Sequence, residues 1–203
     1  MNLLVFDNCV LISIKPEWVK EIIKGNKTIE VRKSIPKLRC PFKVYIYCSK
    51  NQYPIDCIRM QNGRIEFYEP EKLNIGTPIN GNVIGEFMCN EVIEWTRDDY
   101  GTNCYDISDD DFEATCITLM DDFWEYGKGK TLYGWRINDL KIYDKPIPVT
   151  KFKQTKLVRG YHKKPCDPDK KIDIEWILSG KRLEVNHLTR APQSWCYVDS
   201  MRV

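Results

Sequence analysis

A chain of 203 residues is long enough for one domain with insertions and can bury a sizeable core without disulfide staples. With 42% hydrophobic, 12% aromatic and 30% charged residues, it has the balance of a globular protein, which excludes wholesale disorder and a collagen-like fibre. The 31 basic residues against 29 acidic leave a net charge of +2, so bulk charge selects neither nucleic acid nor an acidic partner, and only its distribution can inform.

No apolar run approaches the ~18 residues a membrane helix needs, and Leu3 to Phe6 is too short for the core of a secretory signal, so the sequence predicts a cytoplasmic protein. The nine cysteines are odd in number, with no CxxC pair. Most sit between apolar neighbours, as in Met88-Cys89 and Trp195-Cys196-Tyr197, where reduced cysteine acts as a small core hydrophobe. His162 and His187 are isolated. No metal site and no cofactor is expected.

In chain order, residues 11 to 14 predict a short strand, and Pro16 opens a helix that Gly25 closes. Trp18, Val19, Ile22 and Ile23 share its apolar face. From Lys27 to Lys33 the alternation has period two: Ile29 and Val31 point inward, while Thr28, Glu30 and Arg32 share a polar face. Lys43 to Ser49 and Val83 to Cys89 read as strands rich in β-branched and aromatic residues. Between them, 56 to 67 reads as a hairpin turning at Asn62-Gly63. Ser108 caps a helix with Asp109, Asp110 and Asp111 in its first turn. Phe112, Cys116, Leu119, Met120 and Phe123 lie along one face of it until Gly127 stops it. Leu132 to Ile137, Leu140 to Tyr143, a hairpin Ile172 to Val185 turning at Ser179-Gly180, and Ser194 to Val198 complete the strands. Pro146 and Pro148 suit an edge or bend better than a linker. The expectation is one α+β domain over 1–203, a closed or nearly closed barrel with covering helices and insertions near 51–81 and 168–189.

Charge is segregated although it cancels. Asp98 to Glu125 holds ten acidic residues and no Lys or Arg, whereas Lys15 to Lys43 has nine basic against three acidic, and Lys151 to Lys171 eight against two. Converging basic segments would track a phosphate backbone, with Tyr45, Tyr47 and Tyr161 as stacking surfaces; otherwise they are solvated faces.

The stretch Ser13-Ile14-Lys15-Pro16, followed by Gly25-Asn26-Lys27-Thr28-Ile29-Glu30-Val31-Arg32-Lys33, resembles the signature of the ASCH domain family, with its Gly-x-Lys-x-x-Glu-x-Arg core complete. The similarity continues through Lys43 to Cys48, Val83 to Phe87 with Cys89, Tyr133 to Ile137, Leu140 to Pro146 and Pro192 to Val198, in the manner of bacterial and bacteriophage members. It implies a PUA-like β-barrel and, in general, an RNA-binding module, with a few hydrolases or nucleases among the members. One enzymatic branch deacetylates N4-acetylcytidine with a Lys matching Lys27 and a nucleophilic Thr where this chain has Glu30. Thr28 lies two residues away, about 6.6 Å along a strand, too far to replace that hydroxyl.

The residues read alone agree that this strand is unusual. Glu30 and Arg32 can form a planar pair that recognises a base edge or sugar hydroxyl, with Lys27 adding a cation for phosphate; alternatively they are a structural ion pair closing the barrel mouth. Gln193, Ser194 and Trp195, just after Arg190, suit an unstacked nucleobase, although alternation makes Trp195 a core candidate, as it does Tyr133 and Trp135. The first reading is a nucleic-acid-binding module for RNA or a modified nucleotide, using Lys15, Lys27, Thr28, Glu30, Arg32, Lys33, Arg190, Gln193 and Ser194 in a cleft at the barrel mouth. The alternative is a hydrolase on a modified nucleoside or RNA in which Lys27 and Glu30 are catalytic, Glu30 as general base on water. A third is a phage-type protein that binds a host protein or signalling nucleotide through the acidic helix.

Overall fold

The computed structural model describes residues 8–50, 57–61, 64–68, 77–78, 80–97, 104–159 and 181–201. Strand β1 (Asn8–Ile14) carries Val10, Ile12 and Ile14 on one face and Cys9 and Leu11 on the other, all buried. A strand apolar on both faces belongs inside a sheet with cover on both sides. Helix α1 (Pro16–Lys24) follows, with proline in its first turn and Gly25 at φ 80° ending it; only glycine takes that left-handed conformation without strain. Its Val19 and Ile22 are buried, with Trp18 and Ile23 packed beside them. Strands β2 (Ile29–Arg32) and β3 (Phe42–Cys48) come next, then β4 (Cys57–Gln61), β5 (Arg64–Tyr68), β6 (Thr77–Pro78) and the long β7 (Val83–Trp95). Two short helices, α2 (Asp109–Ala114) and α3 (Met120–Gly127), precede β8 (Leu132–Ile147), a 3-10 turn at Val149–Lys151, and strands β9 (Lys153–Arg159), β10 (Lys181–His187) and β11 (Trp195–Asp199).

The architecture is mixed α+β. Eight strands form one sheet in the order β10-β9-β11-β1-β3-β7-β8-β2, and β5-β4-β6 form a separate three-stranded sheet. Strands β1 and β3 are parallel neighbours joined through α1 and β2, a crossover that the sequence reading did not anticipate. The expected closed barrel does not form among the described residues: β2 and β10 end the sheet and do not pair. The sheet nonetheless curls. If it were flat, β2 would lie four strand spacings, about 19 Å, from β1. Yet Arg32 of β2 donates from Nη2 to the Ser13 carbonyl of β1 at 2.7 Å. A side chain spans the mouth that a backbone ladder would close.

Further expectations change for local reasons. The single acidic helix is two helices, broken at Thr115 to Leu119, with Cys116 at φ 58° and Leu119 exposed instead of on the buried face. The hydroxyl of Thr115 donates to the Phe112 carbonyl and accepts from the Ile117 N–H, a local alternative to helical bonding. Ser108 caps α2 as expected, accepting from the Asp111 N–H. Gly127 does not stop α3. Lys128 does so in the left-handed conformation, and the missing Cβ of Gly127 leaves room for the Tyr105 hydroxyl. The two strands read at 132–137 and 140–143 are one, bent at Asp139 with φ 49° and bulged against β7. The hairpin at 56–67 has its strands paired with Gln61 opposite Arg64; Asn62 and Gly63 lie outside the described residues. Strand β10 pairs with β9 over Lys181 to His187, while 172–180, with the turn read there, lies outside them.

Tyr45 and Tyr47 are buried and cannot serve as stacking surfaces; Tyr45 exchanges hydrogen bonds with the Met201 backbone, and Tyr161 lies outside the described residues. Seven cysteines form no disulfide: Cys9, Cys48, Cys89 and Cys196 are buried, Cys104 and Cys116 half-buried and Cys40 exposed. Burial pushes the Cys89 thiol up to about 12 and the Cys196 thiol up to about 11. No described helix is long and apolar enough to cross a membrane, and no described group of His, Cys, Asp and Glu could hold a metal.

Gly134 lies opposite Val31 where β8 supports β2. A Cβ there would meet the Trp95 ring and lie 2.9 Å from Ile29 Cγ2, and Trp95 is itself fixed edge-on against Phe123 at 5.6 Å. Gly134→Ala is expected to cost about 1–3 kcal/mol in urea denaturation, because the buried ring has nowhere to move.

Candidate functional site

All four residues of β2 are buried, although the strand alternates apolar and polar. Ile29 and Val31 enter a small core with Trp95, Phe123 and Leu132. Glu30 and Arg32 point the opposite way, toward the interior of the curled sheet, where Trp135 stands directly across from Glu30. The polar face read from the sequence is therefore real but lies inside. Thr28 does not share it. That residue precedes the strand, is exposed, and is held by its backbone, donating to the Ala114 carbonyl and accepting from the Ile137 N–H.

Three charges meet in this interior. Glu30 Oε1 is 2.8 Å from Arg32 Nη2, and Glu30 Oε2 is 3.6 Å from Lys27 Nζ. Each cation has a second oxygen: Lys27 donates to the Thr115 carbonyl at 2.7 Å and Arg32 to the Ser13 carbonyl at 2.7 Å. Lys27 Nζ also sits 5.2 Å from the Trp18 ring. Burial pushes the Lys27 pKa below the ordinary lysine range, and Glu30 opposes the shift. Glu30 Oε2, Arg32 Nε and Trp135 Nε1 are buried without a hydrogen-bond partner among the described residues. The two donors are thus unsatisfied and Glu30 Oε2 is left with the longer ion pair to Lys27, a costly arrangement unless something else binds them.

The remaining sequence candidates divide. Ser194 joins the cluster, its Oγ 3.5 Å from Arg32 Nη1 and its carbonyl accepting from the Ser13 N–H. Trp195 is half-buried, 6.1 Å from Trp135, with its indole N–H on Ser34 Oγ. Lys15 is exposed and pairs with Glu17 at the start of α1. Exposed Lys33 lies 4.6 Å over the Tyr126 ring. Arg190 and Gln193 do not reach the cluster. They line a cavity of about 480 Å³ formed by residues 187–193 and Gln154. A second cavity of about 550 Å³ lies between Glu21, Asn26 and the break between α2 and α3. Lys27, Glu30 and Arg32 line neither.

Tyr126 and Ser13 were missed by the sequence reading. Burial raises the Tyr126 phenol pKa, with Arg32 opposing and Glu30 adding to the shift, so its ring shares the field of the charged cluster. Nothing in the spacing of 120–127 marks it. Ser13 contributes mainly backbone atoms, which sequence cannot single out, although it does fall in the quoted Ser13-Ile14-Lys15-Pro16 stretch.

No family model and no curated protein matches the chain. Among solved structures, the ASCH protein of Zymomonas mobilis is similar at 18% identity with a TM-score of 0.43, over 70% of this chain and 75% of that one. Two point variants of that protein match at 18% identity with TM-scores of 0.41 and 0.43, over 69% and 68% of this chain and 75% and 72% of theirs. Overlays at TM-scores of 0.41 to 0.43 leave the family to the chain's own residues.

Removing the central anion would leave two desolvated cations facing each other. Glu30→Gln is expected to lower stability by about 3–5 kcal/mol in urea denaturation. Replacing Lys27, Glu30 and Arg32 together by Met should cost less than that single change. A loss below about 1 kcal/mol for Glu30→Gln would show that the ion pairs are not what holds this end of the sheet.

Proposed function

We propose that the chain is an ASCH-type, PUA-like module that binds nucleic acid, either RNA or a modified nucleotide, at the end of the curled sheet where Lys27, Glu30 and Arg32 meet. One observation carries this reading. Segments far apart in the sequence, the same ones that carry the resemblance, converge in a single cluster joined by hydrogen bonds, strand pairing and ring contact: Ser13, the run Lys27 to Arg32, Trp135, and Ser194 with Trp195. Within it, Arg32 Nε and Trp135 Nε1 have no hydrogen-bond partner among the described residues and Glu30 Oε2 has only the 3.6 Å ion pair to Lys27, so the cluster offers two donors and an acceptor, the complement of a base edge, near the half-buried Trp195 ring. Exposed Lys15 and Lys33 flank the motif and suit phosphate contacts. A purely structural cluster would have little reason to leave two buried donors, Arg32 Nε and Trp135 Nε1, unsatisfied.

A second reading, a hydrolase of a modified nucleoside or RNA, has one observation in its favour. The depressed Lys27 pKa brings proton exchange at Nζ closer to neutral pH, beside a carboxylate that could act as base on water. Thr28 cannot stand in as nucleophile, being exposed while Glu30 is buried.

Filter binding to single-stranded RNA at several salt concentrations tests the binding reading. Affinity should fall as salt rises, with a slope of about 0.7 per phosphate contact, and Lys15→Ala and Lys33→Ala should each flatten the slope by about that amount while leaving the unfolding midpoint unchanged. Salt-independent binding, or none above a neutral control protein, overturns it.

The hydrolase reading expects acetate release from N4-acetylcytidine that disappears in Glu30→Gln, whereas the binding reading expects the native chain to be inert. Turnover by the native protein, lost in a Glu30→Gln variant that circular dichroism shows folded, would replace the first reading with the second.

A further inference from the structure

The cavity at residues 187–193 is built differently from the charged cluster. Its wall is one continuous run of chain plus Gln154 of β9, and it is pinned along its length. Leu188 donates its N–H to the Phe152 carbonyl at 2.9 Å and buries its side chain in the core on that side of the sheet. His187 Nδ1 lies 3.1 Å from the Thr150 carbonyl. At the other end the Pro192 carbonyl accepts from Ser13 Oγ at 2.6 Å. The loop is therefore preorganised, so a ligand would pay little to order it.

Its chemistry favours an anion. No Asp or Glu lines it. Arg190 and Gln193 are exposed and have no ion-pair or hydrogen-bond partner among the described residues, and Thr189 adds a hydroxyl. A guanidinium beside amides and a hydroxyl, away from any carboxylate, is a fork suited to phosphate oxygens. The second cavity differs, being lined by Glu21 and Glu113 with Phe112 and Ile117. At about 480 Å³ the recess exceeds what a bare phosphate fills and lies in the range of small-ligand sites. Exposed Lys151 and Lys153 lie nearby, Lys153 in register with His187, and add positive potential.

We infer that this recess is a subsite for the 5′-monophosphate of a nucleotide or of an RNA 5′ end, with Arg190 and Gln193 as its ligands. The inference rests on the nucleic-acid reading above and deepens it. Ser194 follows Gln193 directly and bonds Arg32, so the recess adjoins the charged cluster along the chain.

Titration calorimetry of the full chain with uridine 5′-monophosphate, uridine and inorganic phosphate tests it. The monophosphate should bind at least tenfold more tightly than uridine. Arg190→Gln should abolish that difference without moving the thermal unfolding midpoint. Equal affinity for uridine, or an unchanged difference in Arg190→Gln, overturns the subsite; inorganic phosphate binding as tightly as the nucleotide would make the recess a free-phosphate site and overturn it too. RNA oligonucleotides with 5′-phosphate and 5′-hydroxyl ends separate this from the broader reading. If neither RNA binds but the monophosphate does so through Arg190, the RNA reading falls and the subsite stands. If both bind equally and Arg190→Gln changes nothing, the subsite falls and the RNA reading stands.

Discussion

Glu30, clasped between Lys27 and Arg32 inside the curled sheet, is the interaction on which the rest depends. Taking three charges out of water costs several kcal/mol per ion, and their mutual attraction offsets it only if further polar partners are supplied. Here the Thr115 and Ser13 carbonyls supply them, one from a helix end and one from a central strand. The cluster thus ties together the edge strand β2, the broken helices and the middle of the sheet. Because Arg32 spans the mouth, the sheet bends round without its end strands joining.

The break between α2 and α3 has the same logic. A continuous helix would bond the carbonyls of Ala114 and Thr115 within itself. Ending α2 there frees them, and they receive the Thr28 N–H and the Lys27 ammonium. Thr115 consolidates the break through its hydroxyl, while Phe112, Phe123 and Tyr105 pack edge-on in the small core below. The acidic side chains on both helices remain mostly exposed, so the acidic stretch contributes backbone oxygen to the cluster while its carboxylates face outward. Asp111 is an exception, half-buried and paired with Arg136, which also pairs with Glu91 of β7.

The proposed function rests on a contrast between the two regions on this side of the molecule. The charged cluster is buried and internally paired, apart from two donors without a partner among the described residues, so under the proposed nucleic-acid reading it would serve recognition more than bulk electrostatic attraction. The loop at 187–193 exposes Arg190 and Gln193, whose polar groups have no partner among the described residues, and meets the cluster through Ser13 and Ser194. Ser13 bonds to both sides of that junction, which places a residue of unremarkable sequence at the point where the two regions connect.

Local pattern carried much of this in the sequence itself. Pro16 and Gly25 bound a helix because their dihedral preferences are intrinsic, Ser108 caps one because its hydroxyl reaches an N–H three residues on, and the apolar runs of β1, β3 and β7 had to be strands. The family-like motif likewise marked Lys27, Glu30 and Arg32 before any packing was known. Tertiary structure decided the rest. Alternation in β2 separates two faces, but which of them meets water depends on what packs there, and α2, α3 and Trp135 cover both. Whether Arg190 and Gln193 belong with the motif depended on the path of a loop pinned by Ser13, far away in the chain. Short-range preferences are written residue by residue, whereas burial and convergence are properties of contacts between distant segments, which spacing along one chain does not encode.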